Sequence, residues 1–305
     1  MALIFQRAVV IGTGLIGGSV ALAAREAGIV GTLVGVARTE RTRRHALETG
    51  VVDEATPEPR AAAAAADLVY IAAPLGSTKG ILQAIAPVLG PDCLVTDAGS
   101  AKAGVVRDAG ASLPHPGMFV GGHPMAGAET AGVQHARVDL FRGRAYFLTP
   151  TEHTSDDALD RTKALVAALG ANLLIASPAE HDDIVASISH LPHVAAVALM
   201  HLVARREAPG DIRLAAAGGG FRDMTRIAAS PAAMWREILA ANRDQALRWL
   251  EAYTGELEQV ADMLRRQDWD ALEDLLAAAG RARQRSTHQP RRRAGDNTFR
   301  GVNGT

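Results

Sequence analysis

Apolar positions in the first third of the chain fall in short unbroken runs: Ala8 to Ile11, Thr32 to Val36, Asp67 to Ala73 and Cys93 to Asp97. Such runs, too short for helices and without polar alternation, predict strands buried on both faces. A helical pattern follows Gly18 through Ala27, and further helices are expected over Ala61 to Ala66 and Ser77 to Leu89. The alanine run earns its assignment from propensity, since alanine is the best helix former. Ala145 to Leu148, a helix around Asp156 to Leu169, and Asn172 to Ala176 repeat the alternation. Alternating strands and helices predict a parallel sheet covered on both faces.

At Ser177 the pattern changes. Ser177, Pro178, Ala179 and Glu180 form a capping box with proline at the first helical position. From there to about residue 280 the periodicity is almost wholly helical, and Ser230-Pro231 opens another helix in the same way. The expected organisation is an α/β domain over 1–176, an all-helical domain over 177–280 and a tail over 281–305.

Composition narrows the class. With 48% hydrophobic and 21% charged residues, the chain can bury a core and is not disordered throughout. The single cysteine, Cys93, excludes an internal disulfide framework and fits a reducing cytoplasm. No apolar run approaches the ~18 residues of a membrane span, and no signal peptide is expected. Residues 281–305 carry seven arginines and one acid, Asp296. A short basic tail of this kind is expected to be solvated and disordered rather than a nucleic-acid contact.

The first strand runs into Gly12-x-Gly14-Leu15-Ile16-Gly17 at the start of a helix. This is the dinucleotide fingerprint of a Rossmann-type, doubly wound sheet. Gly12 permits the tight turn, Gly14 admits the pyrophosphate, and Gly17 lets helix and strand pack closely. NAD sites usually place an acid after the second strand, but here Gly35-Val-Ala37-Arg38-Thr39 offers none before Glu40. Arg38 suits a 2′-phosphate, so the loop favours NADP over NAD.

Asp97-Ala-Gly99-Ser100-Ala-Lys102 follows a strand and so lies where open α/β sheets bind ligands. Gly121-Gly122-His123-Pro124 reads as a constrained loop presenting a histidine, the natural proton acceptor near neutral pH. In the helical part, Asp182 and Asp183 complement a helix N-terminus. Ser189 and His193, four apart, are expected on one helix face with His190 turned away. His190 and His193 lack an acid or cysteine to complete a metal set, so no metal is expected. Gly218-Gly-Gly220 breaks the helical pattern beside Arg222 and Arg226, which suit a carboxylate.

Together the stretches GTGLIGGS, TDAGSAKAG, GGHPMAGAETAG, LFRGRAYFLTP, SPAEHDDIVASISHLPH and GFRDMTRIAASPAAMWREI resemble the prephenate/arogenate dehydrogenase family, in its order, from about residue 8 to 250. The resemblance implies oxidative decarboxylation of prephenate to 4-hydroxyphenylpyruvate, or of arogenate to tyrosine, with hydride transfer to NAD(P)+. It implies that His123 takes the ring hydroxyl proton and that Ser100 lies beside that hydroxyl and the nicotinamide. Arg226 would bind a substrate carboxylate. Ser189 and His193 would line the side-chain pocket, with Trp235 an aromatic near it that the partner subunit can supply. The family's helical domains interlock as homodimers.

Two other classes share features with this chain. Dehydrogenases of the β-hydroxyacid type rely on a lysine in the helical domain, and no lysine follows Lys163. A non-catalytic NAD(P) sensor would keep the fold without needing His123, Ser100 and Arg226.

Overall fold

The computed structural model describes residues 2–127, 130, 132–206 and 211–288. Ala128, Glu129 and Ala131, beside the expected histidine loop, and residues 289–305 of the basic tail lie outside them. By internal contacts the chain divides into residues 1–242 and 243–305.

The first unit opens with β1 (Phe5–Ile11), α1 (Leu15–Glu26), β2 (Val30–Val36), α2 (Glu40–Glu48), β3 (Glu54–Thr56), α3 (Pro59–Ala63), β4 (Leu68–Ile71) and α4 (Thr78–Ile85). It continues with β5 (Leu94–Asp97), α5 (Ala103–Ser112), β6 (Phe119–Pro124), β7 (Ala145–Thr149), α6 (Asp156–Ala168) and β8 (Asn172–Ile175). The strands form one eight-stranded sheet in the order β3-β2-β1-β4-β5-β6-β7-β8. The order reverses between β1 and β4, which opens a ligand crevice at the carboxyl ends of the strands.

Both faces are covered, which explains the unbroken apolar runs. Ala8 and Val10 of β1 pack in one core with Val20 and Ala24 of α1 and Leu165 of α6. Val9 and Ile11 pack in the other, with Ala63 of α3, Leu82 of α4 and Val105 of α5. Every residue of β4, β5 and β6 is buried.

Two expectations change. The sheet is parallel except between β6 and β7, which run antiparallel with His123 opposite Phe147. Between Pro124 and Ala145 the described residues hold only one short helical turn, Val133–His135. Without a crossover helix, the chain returns beside the strand it has just left. His123, expected on a loop, lies within strand β6. Its two preceding glycines are there for close packing. A Cβ on Gly122 would sit 2.6 Å from the Asp97 carbonyl oxygen and 3.1 Å from Tyr146 Oη.

Helices follow from Ser177: α7 (Pro178–Val185), a π-helical turn (Ala186–His190), α8 (Leu191–Ala204), α9 (Gly219–Thr225) and α10 (Ala232–Ala241). The expected capping box is present, with Ser177 Oγ accepting from Glu180 N–H and Glu180 accepting from Ser177 N–H. Contrary to the sequence reading, the run Pro178–Ala204 is long and apolar enough to cross a membrane, by length and composition alone. It carries buried His181, Asp182, His190 and His193, which tie it into the first unit.

The second unit holds α11 (Arg243–Arg266) and α12 (Trp269–His288), so helix continues into the stretch expected to be tail. No residue of α11 is buried, and Leu247, Leu257, Leu264, Trp269 and Leu276 are exposed.

Gly122→Ala is expected to destabilise the protein by about 2 kcal/mol or more, because the clash is with backbone that cannot rotate away. Urea unfolding measures it, and an unchanged midpoint would mean that β6 shifts freely.

Candidate active site

The nucleotide half of the crevice is built from the turn after β1. Gly12 has φ +97°, and a Cβ there would lie 2.5 Å from the Ala72 carbonyl oxygen just past β4. A Cβ on Gly17 would lie 2.2 Å from the Gly12 carbonyl oxygen. Gly14 is different, because nothing lies within 4 Å of its Cβ position. It precedes α1, which starts at Leu15 and Ile16 with no side-chain cap and no acid in its first turn. The first N–H groups of α1 are therefore left for an anion. These residues fit a dinucleotide pyrophosphate.

Arg38 is exposed just beyond β2. The loop that carries it is braced by Arg43, whose Nη1 donates to the carbonyls of Ala37 at 2.8 Å and Arg38 at 3.0 Å. Thr39 caps α2 by accepting from Thr42 N–H. Sequence reasoning passed over Arg43, although it stands one turn into the following helix.

The chemical half centres on His123, which is 8% exposed. Its Nδ1 lies 2.8 Å from Nε2 of His181. Nδ1 of His181 lies 2.8 Å from Oδ1 of Asp182. The carboxylate also accepts the backbone N–H groups of Lys102 at 2.7 Å and Ala103 at 2.9 Å. Burial works against ionising Asp182, but the bonds from His181, Ala103 and Lys102 hold its carboxyl below the usual range.

One carboxylate thereby sets two tautomers. Ionised Asp182 accepts only, so the His181 proton resides on Nδ1 and its Nε2 must accept. His123 then donates from Nδ1, and its lone pair is on Nε2. Burial, reinforced by His181 and Lys102, pushes the His123 pKa well below its ordinary value. His123 is thus a neutral acceptor with a fixed orientation.

Lys102 is fully buried. Its Nζ is paired with the Asp97 carboxylate and donates to the Gly122 carbonyl at 2.8 Å. It therefore joins the end of β5 to the strand that carries His123. Ser100 stands between Asp97 and Lys102, on the loop that Asp182 and Lys102 pin.

A second cluster lies on the helices. His193 stacks on Trp235 of the same chain, with ring centroids 3.5 Å apart. His190 meets that indole edge-on at 6.0 Å. Nδ1 of His193 and Nε1 of Trp235 are buried without a hydrogen-bond partner among the described residues. The π-helical turn adds a residue per turn, so His190 and His193 are both buried while Ser189 is half-buried. Arg226 is exposed at the start of a short turn, Arg226–Ala229, that packs against α8. Glu237 of α10 accepts from Gly76 N–H at 3.1 Å, which ties this helix to the loop after β4.

The structure thus brings His123 and Ser100 to one edge of the crevice and joins His193 to Trp235. It adds His181 and Asp182, which sequence reasoning did not place in the site, and gives roles to Asp97 and Lys102, which it placed on the ligand-side loop without assigning them one. Asp182 was explained as a dipole partner for its own helix, whereas its carboxylate caps α5 instead.

His123, His181, His190 and His193 all have pKa values lowered by burial, His190 to about 4. Below pH ~6.5 the unfolded chain therefore binds these protons more readily than the fold does. Stability is therefore full above that pH and falls beneath it, by about 1.4 kcal/mol per pH unit for each unprotonated histidine. Urea unfolding of His190→Gln is expected to show a shallower loss between pH 6.5 and 4 than the parent protein.

Comparison with known proteins shows the family. The family model for the prephenate dehydrogenase nucleotide-binding domain matches residues 20–175, and that for the prephenate dehydrogenase dimerization domain matches 177–278. A prephenate dehydrogenase of Bacillus subtilis is 36% identical over 262 residues, 86% of this chain and 71% of that one. The structure resembles that of prephenate dehydrogenase from A. aeolicus in complex with hydroxyphenyl propionate and NAD+. That match has a TM-score of 0.88 and 30% identity and covers 93% of this chain and 99% of the other. It also resembles Synechocystis arogenate dehydrogenase, with a TM-score of 0.80 and 32% identity over 92% of this chain and all of that one. With both domains matched over most of its length, this chain belongs to the prephenate dehydrogenase family.

Proposed function

We propose that this protein oxidises and decarboxylates prephenate, or its amino analogue arogenate, on the route to tyrosine. The observation that carries the proposal is the His123–His181–Asp182 chain, which leaves an unprotonated Nε2 at the carboxyl edge of the sheet.

His123 Nε2 takes the proton of the ring hydroxyl. Loss of that proton raises electron density at the carbinol carbon and helps its hydride leave. A bound nicotinamide supplies the hydride acceptor. The bond to the ring carboxylate then breaks, carbon dioxide leaves, and its electron pair completes the aromatic ring. A positioned base contributes ~10² to 10⁴ in rate. His181 delocalises the charge that develops on His123, and Asp182 stabilises it without having to take the proton. Ser100 is held beside the reacting hydroxyl by the loop that Asp182 caps. Orientation of the carbinol supplies the rest of the acceleration.

Gly12, Gly14, Leu15, Ile16 and Gly17 would hold the dinucleotide. Arg38 and the absence of an acid over Ala37–Thr39 support NADP as the preferred form. Arg226 is assigned to a substrate carboxylate, and Ser189, His193 and Trp235 to the side-chain pocket. The family relationship and the exposed apolar residues of α11 and α12 support a homodimer through the helical part. The protein is assigned to the cytoplasm.

Reduced-nicotinamide absorbance with prephenate or arogenate, each with NAD+ or NADP+, tests substrate and cofactor together. NADP+ is expected to be preferred, and a clear preference for NAD+ removes Arg38 from the site. His123→Ala is expected to lower kcat at least ~10²-fold with cofactor binding retained. Asp182→Asn can donate to His181 and so reverses both tautomers, with a similar expected loss in kcat. Arg226→Ala is expected to raise the substrate KM about tenfold or more. An unchanged KM would show that Arg226 does not touch the substrate.

A further inference from the structure

His190 is as deeply buried as the histidines used above, at 1% exposed, yet the proposed chemistry gives it no task. Its one hydrogen-bonding neighbour among the described side chains is Asn242, 5% exposed, at the end of α10. Nδ2 of Asn242 lies 2.7 Å from the Asp182 carbonyl oxygen and 3.3 Å from Nδ1 of His190.

A backbone carbonyl only accepts, so the nitrogen of the amide must face it. The reversed amide would set two acceptor oxygens against each other. The second hydrogen on that nitrogen then meets His190 Nδ1, which has to be the acceptor. The ring is neutral near pH 7, because burial pushes its pKa down to about 4. Its single proton is therefore on Nε2.

The surroundings give that proton a use. His190 adjoins Trp235, and Trp235 stacks on His193. Nε1 of the indole and Nδ1 of His193 are buried with no hydrogen-bond partner among the described residues. Buried polar atoms are nearly always hydrogen-bonded, so two orphans on adjoining rings mark a place that a ligand completes. A donor fixed beside them suits an oxygen-rich group.

We infer that Asn242 is a positioning residue that fixes His190 as the Nε2–H tautomer, and that His190 thereby donates a hydrogen bond to a carbonyl or carboxylate oxygen of the substrate side chain. The identity of that ligand rests on the function proposed above. The geometry of the amide does not.

Long-range proton–nitrogen spectra of the 15N-labelled full chain at neutral pH read the tautomer directly, with His190 assigned from the signal lost in His190→Gln. The expected spectrum has Nε2 protonated and Nδ1 bare. Asn242→Asp, which turns the neighbour into an acceptor, is expected to move the proton to Nδ1. Two substitutions at His190 then test the donor even if that variant folds poorly. The amide nitrogen of Gln overlays Nε2 and that of Asn overlays Nδ1. His190→Gln is expected to keep the substrate KM within about twofold, and His190→Asn to raise it about tenfold, with kcat and cofactor KM little changed in both. A parent spectrum with Nδ1 protonated overturns the inference, as does an equal KM in the Gln and Asn variants. A parent protein inactive on both substrates, but with Nε2 protonated, overturns the proposed function and the donor role and leaves the tautomer assignment standing.

Discussion

The carboxylate of Asp182 accepts three hydrogen bonds from two parts of the chain, one from His181 on its own helix and two from the first N–H groups at the start of α5. Removing a charge from water is costly, and a buried carboxylate persists only when its lone pairs are met. Here each of those bonds also fixes something the site needs. The bond to His181 determines which nitrogen of His123 bears the lone pair. The bonds to Lys102 and Ala103 hold the loop that displays Ser100. The helical segment and the sheet are thus joined at the point where proton transfer is proposed.

Lys102 extends the same logic into the sheet. A fully buried lysine is tolerated because Asp97 neutralises it and the Gly122 carbonyl takes another of its protons. Its positive charge also acts at a distance, disfavouring a second charge on His123 and His181. The base is kept neutral by burial first and by neighbours second. This accords with His123 lying inside a strand, since a loop would expose the ring to water and return its pKa toward the ordinary value.

Close packing rather than turn formation accounts for several of the glycines. Gly122 lies under the Asp97 backbone and the Tyr70–Tyr146 hydroxyl pair, whose oxygens are 2.9 Å apart. Gly17 lies against the Gly12 carbonyl. Only Gly12, with its positive φ, and Gly14, with open space around it, follow the ligand-binding logic by which the fingerprint is read. The same residue type thus serves the cofactor at one edge of the crevice and the catalytic strand at the other.

The sequence by itself determined the alternation of strands and helices, the fingerprint turn, the capping box at Ser177 and the identity of His123, because periodicity, caps and glycine spacing are local signals. It did not determine that His123 lies on a strand. A six-residue segment holding two glycines, a histidine and a proline has weak strand propensity, and its pairing with β5 and β7 is a long-range event. Nor did it reveal Asp182, Lys102 or Asn242. Asp182 reads locally as a helix-dipole acid, Lys102 only as the end of the loop after β5, and Asn242 carries no local signal, until the fold brings each against a partner 60 or 80 positions away. Tertiary structure decided these roles, because which nitrogen of a buried histidine carries the proton depends on the groups packed against it: His181 takes its direction from the adjacent Asp182, but His123 and His190 take theirs from residues about 50 to 60 positions away.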